Sequence, residues 1–443
     1  MLQTSIGGTF ILTHINLFGF DIEDFVETNS EIIEVDDGWA IELTQKKASE
    51  CPFCHSKKIH VNDHKHRNIV IKHNETRFIH FLIRMTRCKC QNCKETFTPS
   101  LKGIERYASY SDYTIKNVIE GCKRMLPFSE IARENNISKA RVIQIFDEAY
   151  PLIDSLNLPE VMCLDEIKFF TDIETKYITV ITNFVTGEIV DVIESRKYEV
   201  LKEYFSQRVT QLKNIKYLVT DMYEGFGKIQ MHFFKNSVHI IDLFHVIEDL
   251  TRVVNKIRTR VMKDENDDSG ERQFMKTHWK LFLARLKGID PRLLHKTYHH
   301  EKSNREKDYF KWMQSCLNLD LKFYRAYQCL QEMYEYTRFS TYEEGERHLN
   351  RIIELLEADG DEDLKRVAET YRKYKVGIIN CLDKKSRGFR YTTGIAECVN
   401  NHIKTIIKMS YGCLNFARFR KRVLLISRFN KMQRKPGWQP KNI

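Results

Sequence analysis

The chain has 443 residues, 42% of them hydrophobic and 30% charged, with a net charge of +11. This composition excludes a disordered or collagen-like chain, and the length accommodates several domains whose cores need no disulfide staples. No apolar run reaches the roughly 18 to 20 residues of a membrane span and the first twenty residues carry no export signal, so a cytoplasmic chain without a membrane partner is expected. The positive balance favours a polyanionic partner, such as nucleic acid or an acidic surface.

Residues 31–44, EIIEVDDGWAIELT, read as two strands around the turn dipeptide Asp37-Gly38. Five of the twelve cysteines follow, between positions 51 and 93. Cys51-Pro-Phe-Cys54 and Cys90-Gln-Asn-Cys93 can each present two thiolates from one turn, and two such turns make a tetrahedral Zn²⁺ site. The runs NIVIKHN and RFIHFLIRM between them predict a hairpin that brings the pairs together. Cys88 is left over and competes for ligation; four reduced, metal-free thiols are the alternative. A closed Cys₄ site has no open coordination position, so its role is folding or DNA docking, not catalysis. Residues 1–105 are therefore read as a β-rich zinc-binding domain.

Residues 106–155 have a helical pattern. FSEIARENNISKARVIQIFDEA (128–149) holds a short helix, an Asn135-Asn136 turn and a second helix capped by Ser138, which is helix-turn-helix spacing. Lys139 and Arg141, near the start of the second helix, would then face phosphates or base edges. An ordinary helical hairpin is the competing reading.

Between 156 and 248 the pattern changes to five strand-like runs: VMCLDEIKFF, KYITVITNF, GEIVDVIES, IKYLVTDMY and SVHIIDLFH. Three strands come first, then a helix, a fourth strand, a helix and a fifth, which is the ribonuclease-H-like order. Asp165, Asp221 and Asp242 stand at strand ends. An acid there is costly unless solvated or coordinated, and three in one sheet suggest a site for a hard divalent cation. Residues 249–385 read as an all-helical insertion without a convincing strand. Residues 386–443 return to the core with Glu397 on a helix, followed by a basic stretch. Lys404, Lys408, Arg418, Arg420, Lys421 and Arg422 are expected to contact phosphates there, with a solvated helix face as the alternative. The fold class is thus multidomain α+β: a zinc module and helix-turn-helix, then a ribonuclease-H-like α/β core interrupted by helices.

CPFC with CQNC, LDEIKF, VTDMYEGF, HIIDLFHVIEDL and GIAECVNNHIKTIIKMSYGCLNFARFRKRVLLI together resemble the ISL-three family of insertion-sequence transposases over nearly the full chain. The resemblance implies a catalytic triad of Asp165, Asp221 and Glu397, with Asp242 and His245 as supporting residues. It implies DNA cleavage and strand transfer with two Mg²⁺ or Mn²⁺ ions, Asp165 bridging them. The implied partners are double-stranded DNA (element ends and target) and further copies of the chain, as a dimer or larger assembly. A transposase-derived DNA-binding regulator without catalysis is the rival reading, and it would require a missing triad acid.

Overall fold

The computed structural model describes residues 18–26, 32–74, 76–106, 108–169, 177–301, 305–337, 341–358, 360–382, 394–409 and 415–433. The chain is a mixed α+β structure of two compact units, Met1–Asp154 with Thr405–Ile443, and Ser155–Lys404.

In the first unit, β1 (Ile32–Val35) and β2 (Gly38–Thr44) form the expected hairpin. Val35 pairs with Gly38, so the turn is Asp36-Asp37 and Gly38 lies in the strand, which corrects the sequence reading. The two cysteine pairs are joined by a long ribbon, β3 (Ile59–Lys72) antiparallel to β4 (Phe78–Cys90), and the short β5 (Thr96–Phe97) adds to β4. β2 runs parallel beside β4, and a Cβ at Gly38 would lie 1.9 Å from the Phe78 carbonyl oxygen. Close backbone approach, not turn geometry, is what requires glycine there. Along β4, Ile79, Phe81, Ile83 and Met85 alternate into a core with Ile69, Ile71, Ile41 and Phe20. That is the period of two of a half-buried strand.

Three helices follow, α1 (Asp112–Lys123), α2 (Phe128–Glu134) and α3 (Lys139–Ala149). Asn136 takes the left-handed turn conformation at φ 51°, and the Ser138 hydroxyl accepts from the Arg141 N–H, capping α3 as the sequence predicts. Val118, Phe128, Ile131, Val142 and Phe146 form their shared core.

In the second unit, β6 (Val161–Lys168), β7 (Tyr177–Asn183) and β8 (Glu188–Ile193) run antiparallel in succession. Helix α4 (Tyr198–Ser206) leads to β9 (Tyr217–Thr220), and α5 (Glu224–Phe233) leads to β10 (Val238–Ile241). The sheet order is β10-β9-β6-β7-β8, with β6, β9 and β10 parallel. The central β6 is apolar almost throughout because both its faces are covered. Met162 and Leu164 pack with Leu201, Phe205 and Phe226 of α4 and α5, while Val161 and Cys163 pack with Val219, Ile240 and Cys381.

From β10 the chain enters α6 (Leu243–Asp264), whose Val246, Leu250, Val253, Ile257 and Val261 recur at helical spacing. They join Phe274, Trp312, Leu330, Ile352 and Val367 in the core of the inserted region. That region is not all helical: β11 (Thr297–His300) pairs with β12 (Arg305–Asp308). Both strands are short and polar, so no hydrophobic alternation announced them. Helix α7 (Lys375–Leu382) returns to the sheet and covers the edge strand β10. The Asn380 side chain donates to the His239 carbonyl at 2.9 Å, and a Cβ at Gly377 would lie 2.7 Å from the Ile241 side chain. Covering an edge in this way blocks pairing with another chain.

Helices α8 (Gly394–Met409) and α9 (Phe416–Gln433) end the described chain. The start of the segment expected to close the core (386–393) and the Tyr411-Gly412 motif lie outside the described residues. The expected single piece 386–443 is divided: the chain to Lys404 belongs with the unit of the β10-β9-β6-β7-β8 sheet, and the chain from Thr405 belongs with the unit that holds α1 to α3. Chemistry within the first unit explains the division. Leu425 packs on the three-helix core, and Arg418 and Lys421 pair with Asp147 of α3 at 2.6 and 2.9 Å.

Candidate active site

Each of the three parallel strands delivers an aspartate at the same level. Leu164 pairs with Thr220 across β6 and β9, and Thr220 pairs with Ile241 across β9 and β10. Asp165, Asp221 and Asp242 are the next residues on each. Neighbouring strands are about 4.8 Å apart, so the three acids form a row across the sheet. Asp221 and Asp242 stand just past the ends of β9 and β10, but Asp165 lies within β6, which runs on to Lys168 paired with β7, and this corrects the expectation that it ends its strand. Asp165 shares the face of Cys163, opposite the α4–α5 layer.

The backbone fixes each carboxylate. Asp165 Oδ1 accepts from the Glu166 N–H at 2.7 Å, and Asp221 Oδ1 from the Tyr223 N–H at 2.9 Å. Asp242 caps α6 by accepting from the Phe244 N–H, and its other oxygen lies 3.2 Å from His245 Nδ1. Burial raises Asp165 above the usual carboxylate range; it pushes Asp221 up to about 7, helped by the charges of Glu166 and Asp165. Burial acts to lower His245, but Asp242, with Asp165 and Asp221 behind it, holds that imidazole up at about 9. A cationic imidazolium therefore sits against the row at neutral pH. Clustered carboxylate oxygens, with burial raising two of the three acids, are the donor set a hard divalent cation needs. The residues fit the metal that the resemblance implies.

Glu397 is exposed in the first turn of α8, and Asn400, one turn further on, donates to Asp165 Oδ2 at 2.5 Å. The structure thus gathers Asp165, Asp221, Asp242 and His245, and links the helix of Glu397 to them through Asn400. The sequence reading assigned Asn400 no role, although its i+3 spacing from an acid was legible. It also missed the ion pair of Glu166 with Arg196, whose guanidinium lies 4.2 and 4.4 Å from the ring centres of Tyr177 and Tyr223. No local pattern announces that cluster, because its members come from four separate segments.

The four cysteine sulfurs of Cys51, Cys54, Cys90 and Cys93 all lie within 4.8 Å of one another, with Cys51–Cys93 and Cys54–Cys90 at 3.6 Å. Tetrahedral zinc with bonds of about 2.3 Å requires sulfurs roughly 3.8 Å apart. The two turns match: the His55 N–H donates to the Cys51 carbonyl and the Lys94 N–H to the Cys90 carbonyl, with both residues at positive φ. Backbone N–H groups, that of Cys93 first, bring the Cys90 thiol down to about 6. Cys88 stands outside this group, buried in the ladder opposite Val61 and Phe97.

Of the residues expected on DNA, Lys139 is exposed, while Arg141 is half-buried over Tyr110 and bonded to Gln144. Lys404 and Lys408 are exposed on α8. The others face inward. Arg418 and Lys421 clamp Asp147, Arg420 donates to the Ile153 carbonyl, and Arg422 is 1% exposed, donating to the Leu126 carbonyl over the Phe128 ring.

His239 on β10 gives a pH test of the sheet. Burial pulls its imidazole down to about 4, with Nε2 2.9 Å from the Thr220 hydroxyl. The unfolded chain, titrating near 6.5, then binds the extra proton between those values. Stability is therefore fully present above about pH 6.5 and falls as pH drops toward 4. His239→Gln should remove up to about 3 kcal/mol of that dependence. Urea unfolding at pH 5 and pH 7 checks this, and equal pH dependence in both proteins would contradict it.

Among the described residues no helix is long and apolar enough to cross a membrane. No curated protein sequence matches the chain. Among solved structures, a chain of the Drosophila P element transposase strand transfer complex is similar, with a TM-score of 0.35 and 10% identity over 78% of this chain and 95% of that one. That likeness is too distant to carry an argument. Residues 162–423 match the family model of the ISL-three DDE transposases, described as a transposase. The match spans more than half of the chain and every acid of the row, and the chain belongs to this transposase family.

Proposed function

We propose that the chain cleaves and joins DNA strands at the ends of an insertion sequence, using Mg²⁺ or Mn²⁺ held by Asp165, Asp221 and Glu397. The observation that carries this reading is the in-register row of Asp165, Asp221 and Asp242 on three adjacent parallel strands, Asp165 within β6 and the other two just past β9 and β10. The order β10-β9-β6-β7-β8, with β7 antiparallel to β6, supports reading the sheet as a ribonuclease-H-like core interrupted by the insertion. When bound, divalent ions supply activation of the attacking oxygen and stabilisation of the leaving 3′ oxygen in an in-line displacement. The protein's own part is to hold the acceptor oxygens. Asp165, on the central strand, would hold the ions together with Asp221 and Glu397, and Asp242 and His245 would set the charge balance beside them.

DNA recognition falls to the helix-turn-helix, with Lys139 and Arg141 at the start of α3, and to the ribbon below the Cys₄ site, where a structural Zn²⁺ holds the two turns. Lys404 and Lys408, both exposed on α8, are further DNA contacts. Arg418, Arg420, Lys421 and Arg422 leave the contact set, because their cationic groups are engaged within the first unit. Pairing two element ends calls for at least two copies of the chain. The test is cleavage of labelled DNA carrying the element ends, with Mg²⁺ and with EDTA, by the wild type and Glu397→Gln. Metal-dependent nicking lost in the variant supports the reading. Equal cleavage by both removes Glu397 from the triad. Specific end binding without cleavage by either favours the regulator.

A further inference from the structure

Asp165 is held differently from the other two acids. Asp221 is held by the Tyr223 N–H and Asp242 by the Phe244 N–H and His245 Nδ1, all within three residues downstream. Asp165 accepts on Oδ1 from the N–H of the next residue of β6, Glu166, and on Oδ2 from Asn400, which is 235 residues away in sequence. Both of its oxygens are therefore occupied by donors from different elements, and the plane of the carboxylate is set between them. Only the amide nitrogen of Asn400 can donate to an ionised carboxylate, so the side-chain orientation is defined as well. The contact is charge-assisted and partly buried, the setting in which such a bond has most effect.

Asn400 also lies three residues after Glu397 on the same helix. Residues at i and i+3 share a helix face, so anchoring Asn400 to Asp165 fixes which face of α8 turns toward the row. Exposed at the helix start, Glu397 has no hydrogen bond of its own among the described contacts that would do this. We propose that Asn400 is a positioning residue: its amide latches α8 to β6, orienting the Asp165 carboxylate and, one turn away, presenting Glu397 to the same site. This rests on the catalytic reading of Asp165 and Glu397, which makes the test two-armed.

The first arm needs no catalysis. Amide hydrogen exchange across residues 394–404 is compared in metal-free wild type, Asn400→Ala and Asn400→Leu. Loss of a charge-assisted bond should speed exchange there about tenfold or more in both variants, with β6 and β9 unchanged. Leucine keeps the volume of the side chain, so an effect of alanine alone would assign the role to packing and overturn the proposal. The second arm is the Mn²⁺ concentration giving half-maximal cleavage. Partners that orient metal ligands typically change affinity or activity 10- to 100-fold, and a rise of about that size is expected in both variants. Unchanged exchange in 394–404 with unchanged Mn²⁺ dependence overturns the proposal. A wild type that never cleaves overturns the catalytic reading instead, and the exchange arm still decides whether Asn400 latches the helix.

Discussion

Asp165→Asn is expected to lower metal-dependent strand cleavage on the order of 10³-fold while leaving the metal-free protein at least as stable as the wild type. The two halves have one cause. Burial raises the pKa of Asp165, and the charge of Asp242 adds to it, so ionising it at neutral pH costs the folded state free energy. The sign follows from linkage. A carboxyl whose folded pKa lies above its unfolded value stabilises the fold at low pH, and that contribution fades as pH rises past the unfolded value of about 3.9. Asparagine carries no charge to desolvate and keeps an oxygen to accept from the Glu166 N–H or the Asn400 amide. The same substitution deletes a central metal ligand. Losing several kcal/mol of charge stabilisation, about 4 kcal/mol, corresponds to the stated rate loss. A metal ion binding only the folded state adds about 2.7 kcal/mol at a hundred times its Kd. Mg²⁺ should therefore raise the Tm of the wild type and not that of the variant. Cleavage within tenfold of wild type, or an undiminished Mg²⁺ effect on Tm, would remove Asp165 from the metal site.

The parts of this site that the sequence disclosed are those with a local signature. Within β6 and at the ends of β9 and β10 a short apolar run is followed by an acid, and that pattern survives without any knowledge of pairing. The register that aligns Leu164, Thr220 and Ile241 is tertiary, but strand order and parallel pairing follow from the intervening helices. Glu397 stood out only through the family's motif, since an acid in a first helical turn also suits the helix dipole. The surroundings of the basic tail were hidden for a comparable reason. Arg418 and Lys421 read as a phosphate-binding surface because nothing local reveals that Asp147, 271 residues from Arg418, pairs with both. Net charge is a statement about the surface only after such internal pairs are subtracted. The β11–β12 hairpin and the role of Gly38 were hidden for the opposite reason: polar strands and close backbone approaches leave no periodicity to read.

Stripping the metal from the Cys₄ site is expected to free the two cysteine turns while leaving the ribbon between them folded. His55 and Lys94 are held at φ values of 55° and 67°, a region that costs a non-glycine residue roughly 1–3 kcal/mol. Each turn has its own backbone bonds, from the His55 and Lys94 N–H groups to the Cys51 and Cys90 carbonyls, but these are exposed to competition from water. A bound zinc, with roughly 10–16 kcal/mol of apparent binding free energy in small zinc modules, overcomes that strain and the mutual repulsion of four thiolates. Below the turns, Ile69, Ile71, Phe81 and Ile83 are buried in their own core and do not depend on the metal. Chelation, or Cys93→Ser, should therefore speed amide exchange at 51–56 and 90–95 by more than about 100-fold, with 79–83 changing far less. The zinc content should fall from one per chain to none in the same experiment. If the purified protein holds no zinc and the turns are equally protected with and without chelator, the four sulfurs are a thiol cluster and the turns are stabilised by the ribbon alone. If zinc is present but its removal unfolds β3 and β4 as well, the metal stabilises the whole ribbon, and the Ile69–Phe81 core is too small to stand without it.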